Sequence, residues 1–374
     1  MLSVLDRDRL REALALAEQS IGLSDPNPRV GCVIGREDGT LLGRGFTQEA
    51  GGPHAEVMAL RDAAAQGADP RGATAWVTLE PCAHHGRTPP CTDALLAAGI
   101  ARVVAAVEDP HHAVAGRGLL QLRAAGVQVD LADAELAAAA VEINIGFFSR
   151  ALRGRPWVRL KVACSLDGRT ALPSGESQWI TGPEARADGH AWRKRAGVVL
   201  TGIGTVLADN PRLDVRLVPT VHQPIRAVLD SRLRLPSSAR ILDRHSPVLV
   251  FSANDHAAGP LRAHGAEVIA LPSGEGRVAI GAVLATLARR EINEIHVEAG
   301  PCLNGALLAG GWIDEWLVYQ APCVLGPGRP MADLPALRAL DDARRLERIE
   351  ATSIGNDLRL RLRARGGIHW IARR

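Results

Sequence analysis

Pro53-His54-Ala55-Glu56-Val57 and Thr78-Leu79-Glu80-Pro81-Cys82-Ala83-His84-His85-Gly86-Arg87-Thr88-Pro89-Pro90-Cys91 are the two stretches from which the rest of this chain is read. His54, Cys82 and Cys91 offer one imidazole and two thiols, enough for three corners of a tetrahedral zinc site. A catalytic zinc keeps its remaining corner open for water, whereas a structural site closes it with another Cys or His. Glu56 stands next but one to His54, a carboxylate placed for proton transfer and not for the metal. Singly, each residue is ordinary: a satisfied histidine, two buried thiols, a surface charge. Together, at these spacings, they make a hydrolytic zinc centre.

The His-x-Glu and Pro-Cys arrangement is that of zinc deaminases of nucleobases, in which the Glu moves protons and does not bind metal. Cys91 follows Cys82 by nine positions, a wider gap than that pattern has. The intervening residues are rich in His, Pro and Gly and suit a loop that walls a substrate pocket. His54 opens one expected helix and Cys91 another, so helix dipoles favour the thiolates that bind metal.

At 374 residues the chain is long enough for two or three domains of about 150 residues each. Its 47% hydrophobic and 23% charged content is that of a globular protein. Lys and Arg number 44 against 41 Asp and Glu, a diffuse +3 with one Tyr, four Phe and seven Trp. A nucleic-acid surface needs a basic stripe with stacking aromatics, so the expected partner is a small molecule and not a nucleic acid. The first residues carry Asp6, Arg7, Asp8, Arg9 and Arg11 where a secretory signal needs an apolar run, and no uncharged stretch reaches the roughly 18 residues of a membrane span. The six dispersed cysteines read as reduced thiols, and the expected location is cytoplasmic with no membrane partner.

Helical spacing runs from Leu5 to Ile21 and stops at Asp25-Pro26-Asn27-Pro28. Val30 to Ile34 and Leu41 to Phe46, joined by Asp38-Gly39, read as a hairpin. A helix from His54 to about Ala63, a strand from Thr74 to Leu79 and a helix from Cys91 to Ala98 follow. After them come a strand at Val103 to Val107, a helix at Leu119 to Ala125 and a strand at Val127 to Leu131. Five strands with intervening helices predict a three-layer α/β/α sandwich. The basic, turn-rich segment Phe147 to Pro156 predicts a boundary near residue 150, giving domains 1–150 and 151–374.

In the second half the strands Val158 to Cys164, Val198 to Thr201, Ile225 to Leu229 and Ile295 to Val297 each end in a loop of small residues. Such junctions suit an open sheet that binds a nucleotide across the carboxyl ends of its strands. Gly300 and Gly305, around the helix Leu303 to Ala309, would let backbone amides approach a pyrophosphate. No complete Gly-x-Gly-x-x-Gly with a following acidic residue is present, which disfavours an ordinary Rossmann domain. Arg193 and Arg216 could grip a substrate phosphate, or be surface residues.

Asn27-Pro28-Arg29-Val30-Gly31-Cys32 and the two opening stretches closely resemble the bifunctional deaminase-reductase family of riboflavin biosynthesis. Ser165-Leu166-Asp167-Gly168-Arg169-Thr170, Gly175-Glu176-Ser177-Gln178-Trp179-Ile180-Thr181, Asp209-Asn210-Pro211 and Glu298-Ala299-Gly300-Pro301 are similar to its reductase half. The resemblance implies an α/β chain with an N-terminal cytidine-deaminase-like three-layer α/β/α domain and a C-terminal dihydrofolate-reductase-like α/β domain. It implies deamination of a diaminopyrimidinone carrying a phosphoribosylamino arm, with one Zn2+ per site, then reduction of the ribosyl to a ribityl group by NADPH.

Residue by residue, the resemblance implies metal ligands His54, Cys82 and Cys91, catalytic Glu56, and pyrimidine contacts at Asn27, His84 and Arg87. Thr47 stands where relatives commonly place His, and His111-His112 replaces a common Asn-Pro. In the second half it implies substrate contacts at Ser177, Arg193, Leu213, Arg216 and Glu298, with the arginines at the phosphate. NADPH would meet Ala163, Trp179, Thr205, Asp209, Ser231 and the run Gly300, Pro301, Cys302, Leu303, Asn304, Gly305 and Ala306. By spacing alone, Cys164, Cys302 and Cys323 read as packing residues, and Cys32 as core.

Two other readings compete. A zinc deaminase of tRNA bases would want more aromatics and more positive charge; a structural finger would want a fourth ligand and no free Glu56. A homo-oligomer, a dimer through the reductase domain, is expected. Leu317 to Ala321 could be the edge strand it uses, or a covered edge.

Overall fold

The computed structural model describes residues 2–86, 88–111 and 115–368, and the chain divides into two compact units, Met1–Gly154 and Arg155–Arg374. The first unit opens with helix α1 (Val4–Glu18), capped by Ser3, whose hydroxyl accepts from the Asp6 N–H while the Asp6 carboxylate accepts from Ser3. The hairpin β1 (Gly31–Gly35) and β2 (Leu41–Phe46) forms as the Asp38-Gly39 signal predicts, with Gly39 at φ +90° in its turn. Then come α2 (Ala55–Ala65), β3 (Thr74–Val77), α3 (Cys91–Ala97), β4 (Arg102–Ala105), α4 (Arg117–Ala124), β5 (Gln128–Leu131), α5 (Ala134–Ile143) and α6 (Ile145–Arg153).

The sheet order is β2-β1-β3-β4-β5, antiparallel through β3 and parallel from β3 to β5. Leu10, Ala13, Leu14 and Ala17 of α1 and Leu136, Ala140 and Ile143 of α5 pack with Val33, Trp76 and Val104 on one face. On α2 a stripe of small residues, Ala55, Ala59 and Ala63, is fully buried. It lies so close to β2 that a Cβ on Gly45 would fall 2.4 Å from Ala55 O. That approach fixes the start of α2, where His54 sits.

The expected boundary segment is not a linker. Residues Phe147 to Arg153 belong to α6, with Phe147, Phe148 and Ser149 buried, and the division falls after Gly154, whose φ of +67° ends the helix. Arginines on the outer side of an amphipathic helix gave the stretch its linker-like composition. α5, an alanine-rich helix, was likewise not anticipated.

The second unit contains β6 (Trp157–Cys164), β7 (Arg169–Ala171), α7 (Pro183–Arg195), β8 (Val198–Gly202), α8 (Ile203–Asp209), β9 (Ile225–Leu229), β10 (Val248–Ser252), α9 (Gly259–Ala263) and β11 (Ala266–Ala270). α10 (Ile280–Arg289), β12 (Glu294–Val297), α11 (Pro301–Ala309), β13 (Glu315–Gln320), β14 (Arg329–Pro330), β15 (Leu346–Ile354) and β16 (Asp357–Ala364) complete it. Its main sheet runs β11-β10-β9-β8-β12-β6-β13-β16-β15, parallel from β11 to β13 and antiparallel beyond.

Strand alternation sorts side chains onto two faces. Val158, Leu160, Val162, Leu200, Leu249 and Phe251 pack with Val283, Leu284 and Leu287 of α10 and Leu307 of α11. On the other face Val199, Val228 and Val250 pack with Val206 of α8 and Leu261 of α9. That same face turns ionic further along. Arg159 is 0% exposed and donates to Glu294 at 2.8 Å and to Glu315 at 2.7 Å. Arg361 and Arg363 of β16 also reach Glu315, and the guanidinium of Arg159 stacks 4.5 Å from the Trp192 ring of α7.

Leu317 to Ala321 is therefore no edge. β13 is hydrogen-bonded to β6 on one side and β16 on the other, because the hairpin of β15 and β16 adds two further strands.

Candidate active sites

His54 occupies the N-cap of α2, Cys91 the first position of α3, and Cys82 the loop after β3, so two helix N-termini converge as the sequence predicts. His54 Nδ1 lies 3.3 Å from Cys91 Sγ and 3.6 Å from Cys82 Sγ, and the ligand atoms all fall within 4.8 Å of one another. Bonds of about 2.0–2.3 Å at tetrahedral angles need separations near these, so the donor set fits zinc. Among the described residues no further His, Cys, Asp or Glu joins the cluster. His54 Nε2 faces the Thr88 hydroxyl at 3.5 Å.

Glu56, in the first turn of α2, is 3% exposed, and burial together with the nearby Cys82 sulfur pushes its carboxyl up to about 7. Hydrogen bonds from Cys91 and His54 bring the Cys82 thiol down to about 4 against the opposing effect of burial, while the hydrogen bond to Cys82 and burial raise Cys91.

Asn27 is half-buried on the loop between α1 and β1, and His84 is exposed on the loop after Cys82. Arg87 and His112 lie outside the described residues. Thr47 is 2% exposed, at the neck of the loop closed by the Gln48 N–H donating to Pro53 O, and its hydroxyl has no hydrogen-bond partner among the described residues. Cys32 is fully buried on β1, as expected.

In the second unit the carboxyl ends of β6, β8, β9 and β12 all lie along one rim of the parallel sheet. This rim carries Ala163 on β6, Thr205 and Asp209 on α8 after β8, Ser231 after β9, and Glu298 and Gly300 after β12. The Gly300 N–H donates to Thr205 Oγ1 at 3.1 Å, tying the head of α11 to α8. Ser231 Oγ accepts from the Val278 N–H at 3.2 Å.

Glu298 is the centre of a cluster. Arg193 on α7 grips its carboxylate through Nε and, at 2.9 Å, through Nη2, while Lys161 Nζ lies 3.9 Å away and His296 Nε2 3.4 Å away. Burial opposes its charge, but Arg193 and Lys161 outweigh that and hold the carboxyl well below the usual range. Arg193 Nη1 donates to Asp214 O at 2.8 Å, next to Leu213, which is buried at φ +56°. Arg216 pairs with the Asp214 carboxylate and is the more exposed of the two arginines. Burial, with Arg193 and Arg216 nearby, takes His190 down to about 4, so it is neutral at pH 7.

Arg193 is not a free guanidinium waiting for a phosphate, because Glu298 and the Asp214 carbonyl already engage it. Gly305 serves packing: a Cβ there would lie 2.0 Å from Asp333 O, within the body of α11. Cys302 is exposed, at the second position of α11 on the side opposite buried Leu307, so it is not a packing residue, whereas Cys164 is buried. Asn304, 1% exposed, donates to Ala299 O and Met331 O. Pro301 O accepts from the Asp333 N–H at 2.9 Å. Leu303 is partly buried against the core, and Ala306 is exposed. Ser177 is half-buried, and Trp179, 66% exposed, lies under the Arg186 guanidinium.

Lys161, His190, Asp214 and His296 were missed by sequence reading. Lys161 had one signal, its place two residues before Ala163 on the same face of β6.

Residues 4–107 match the family profile "Cytidine and deoxycytidylate deaminase zinc-binding region", and residues 156–360 match "RibD C-terminal domain". A "Riboflavin biosynthesis protein RibD" of Escherichia coli (strain K12) is 44% identical over 370 residues, covering 96% of this chain and 99% of that protein. The chain belongs to the RibD family. An Aquifex aeolicus RibD is 39% identical, covering 96% of this chain and 98% of that one. The solved Acinetobacter baumannii RibD, form 1, has a TM-score of 0.87 at 41% identity over 96% of this chain and 99% of its own. The Thermotoga maritima structure titled "diaminohydroxyphosphoribosylaminopyrimidine deaminase/ 5-amino-6-(5-phosphoribosylamino)uracil reductase" has a TM-score of 0.86 at 32% identity, with the same coverage. The chain is accordingly a bifunctional enzyme of riboflavin biosynthesis, a zinc-dependent deaminase and an NADPH-dependent reductase, with a cytidine-deaminase-like first unit and a RibD reductase second unit.

Proposed function

We propose that residues 1–150 deaminate 2,5-diamino-6-(5-phosphoribosylamino)pyrimidin-4-one and that residues 151–374 reduce the ribosyl group of the product with NADPH. The observation that carries this reading is the convergence of His54, Cys82 and Cys91 on one point beside a buried, unligated Glu56. Zinc, when bound, supplies Lewis acidity that makes water nucleophilic near neutral pH. Glu56 accepts the proton from the attacking water and returns protons to the ring nitrogen and the departing ammonia. Its burial, and its freedom from the ligand set, leave it to carry protons and not to bind the metal. Asn27, His84 and Arg87 hold the pyrimidine.

In the reductase, NADPH supplies the hydride and the protein orients it against the sugar carbon. Ala163, Trp179, Thr205, Asp209, Ser231, Gly300 to Leu303 and Ala306 hold the cofactor along the rim of the sheet, while Asn304 and Gly305 seat α11. Glu298, kept anionic by Arg193 and Lys161, meets the sugar end with Ser177 and Leu213. Arg216, the more open arginine, takes the phosphate, while Arg193 sets the position of Glu298.

We also infer a cytoplasmic homodimer formed through the reductase unit. Leu334, Leu337, Leu340, Leu346 and Ile349 are exposed on β15 and the segment before it, an apolar flank that a second copy would cover. Among the described residues no helix is long and apolar enough to cross a membrane.

The test supplies the diaminopyrimidinone phosphate to zinc-loaded enzyme, then adds NADPH, following ammonia and cofactor absorbance separately. Ammonia should appear before NADPH is added, and NADPH oxidation only afterwards. Cofactor oxidation without prior ammonia release would overturn the order proposed.

A further inference from the structure

Glu80 lies two residues before Cys82 and is 3% exposed, yet neither the metal set nor the proton path uses it. Its carboxylate accepts from four main-chain N–H groups. Oε2 takes Asp109 at 3.0 Å and Gly116 at 2.9 Å; Oε1 takes Gly118 at 2.8 Å and Leu119 at 3.3 Å. Three of these belong to the N-cap and first turn of α4. A second observation concerns the same contact from the other side. A Cβ on Gly118 would fall 2.0 Å from Pro81 O, so the first turn of α4 rests directly on the peptide that precedes the ligand. Across Cys82, the Thr92 N–H and hydroxyl both donate to Cys82 O, at 3.2 and 3.3 Å, and that hydroxyl also meets Gln121 of α4 at 3.2 Å.

The Pro81-Cys82 turn is thus gripped between the first turns of α3 and α4. We propose that Glu80 is a positioning residue of the metal centre: by binding the start of α4 and the Asp109 backbone, it fixes Cys82 Sγ relative to His54 and Cys91. A carboxylate is suited to this, because two acceptor oxygens satisfy four donors, whereas an amide would turn an NH2 toward two of them. The proposal rests on the zinc reading above, and the wild-type protein separates the two. If wild-type holds no zinc, that reading fails; if only the variant loses its grip, the positioning role stands.

The experiment uses the full chain and the variants Glu80→Gln and Glu80→Asp. Zinc transfer to a chromogenic chelator should be roughly 10- to 100-fold faster from Glu80→Gln than from wild-type, the usual cost of losing an outer partner of a ligand. The thiolate-to-cobalt absorption of the Co(II)-substituted variant should be altered, and Glu80→Asp should recover part of the retention. Reductase turnover on deaminated substrate, measured in the same samples, should stay within about twofold, showing that the effect is confined to the first unit, whose folding is followed by circular dichroism. An unchanged cobalt spectrum and release rate in Glu80→Gln would overturn the proposal, even if the variant melts earlier. Should Glu80→Gln not fold, hydrogen exchange in wild-type decides: the Gly116, Gly118 and Leu119 amides should exchange more slowly with zinc than after its removal, and equal rates refute the coupling.

Discussion

Glu56 and Glu298 are both buried carboxylates, and their surroundings push them in opposite directions. Burial and the Cys82 sulfur raise the metal-free Glu56 carboxyl to about 7, while Arg193 and Lys161 hold Glu298 anionic. Glu56→Gln should therefore keep zinc and lose ammonia release by a factor of about 10² to 10⁴, with zinc content by metal analysis and ammonia by coupled assay. Removing Arg193 should let the Glu298 carboxyl rise toward its ordinary value. A group with a depressed carboxyl is charged above that value, so Arg193→Ala should move the acid limb of the reductase pH profile to higher pH. It should also raise KM for the phosphorylated substrate far more than for NADPH; equal effects on both would displace Arg193 from the substrate side. The cluster of His54, Cys82 and Cys91 was legible in the sequence because two helix starts and the Pro81-Cys82 turn carry these residues within short local motifs. Lys161, His190 and Asp214 were not legible, because Lys161 reaches Glu298 from β6 while His190 and Asp214 touch Arg193, and only the folded sheet brings these elements together.

At the scale of elements, the parallel strands β6, β8, β9 and β12 announced themselves by apolar runs closed with small residues, and the first hairpin by Asp38-Gly39, whereas β10 and β11 were not read. The β15 and β16 hairpin did not, since its alternation of Leu358, Leu360 and Leu362 with Arg359, Arg361 and Arg363 suggests arginines facing water. Instead Arg361 and Arg363 point inward, at 9% and 4% exposure, because Glu315 waits on β13. Glu315→Gln would leave Arg159, Arg361 and Arg363 without their shared carboxylate and should cost about 3–5 kcal/mol of stability. Although burial opposes its charge, those arginines keep the Glu315 carboxyl well below 4.5. Its contribution is therefore complete above that pH and is lost as pH falls toward the folded value. Melting curves should show a wild-type to variant gap that is constant from pH 6 to 8 and narrows in acid; a gap widening in acid would contradict the assignment.

For the whole molecule, each unit carries its own core and its own chemistry, so the two activities should fail separately. Chelation should abolish ammonia release while NADPH oxidation on the deaminated substrate continues, followed by absorbance in one cuvette. Concurrent loss of both would mean that metal supports more than the first unit. The two-unit division was legible because composition and motifs change along the chain, but the exact seam was not, since α6 disguises a buried helix with arginines.

The exposed thiol of Cys302, at the head of α11 where the proposed cofactor loop begins, offers a native labelling handle. A fluorophore attached to that sulfur would report nucleotide arrival optically, in a chain that needs no engineered attachment point.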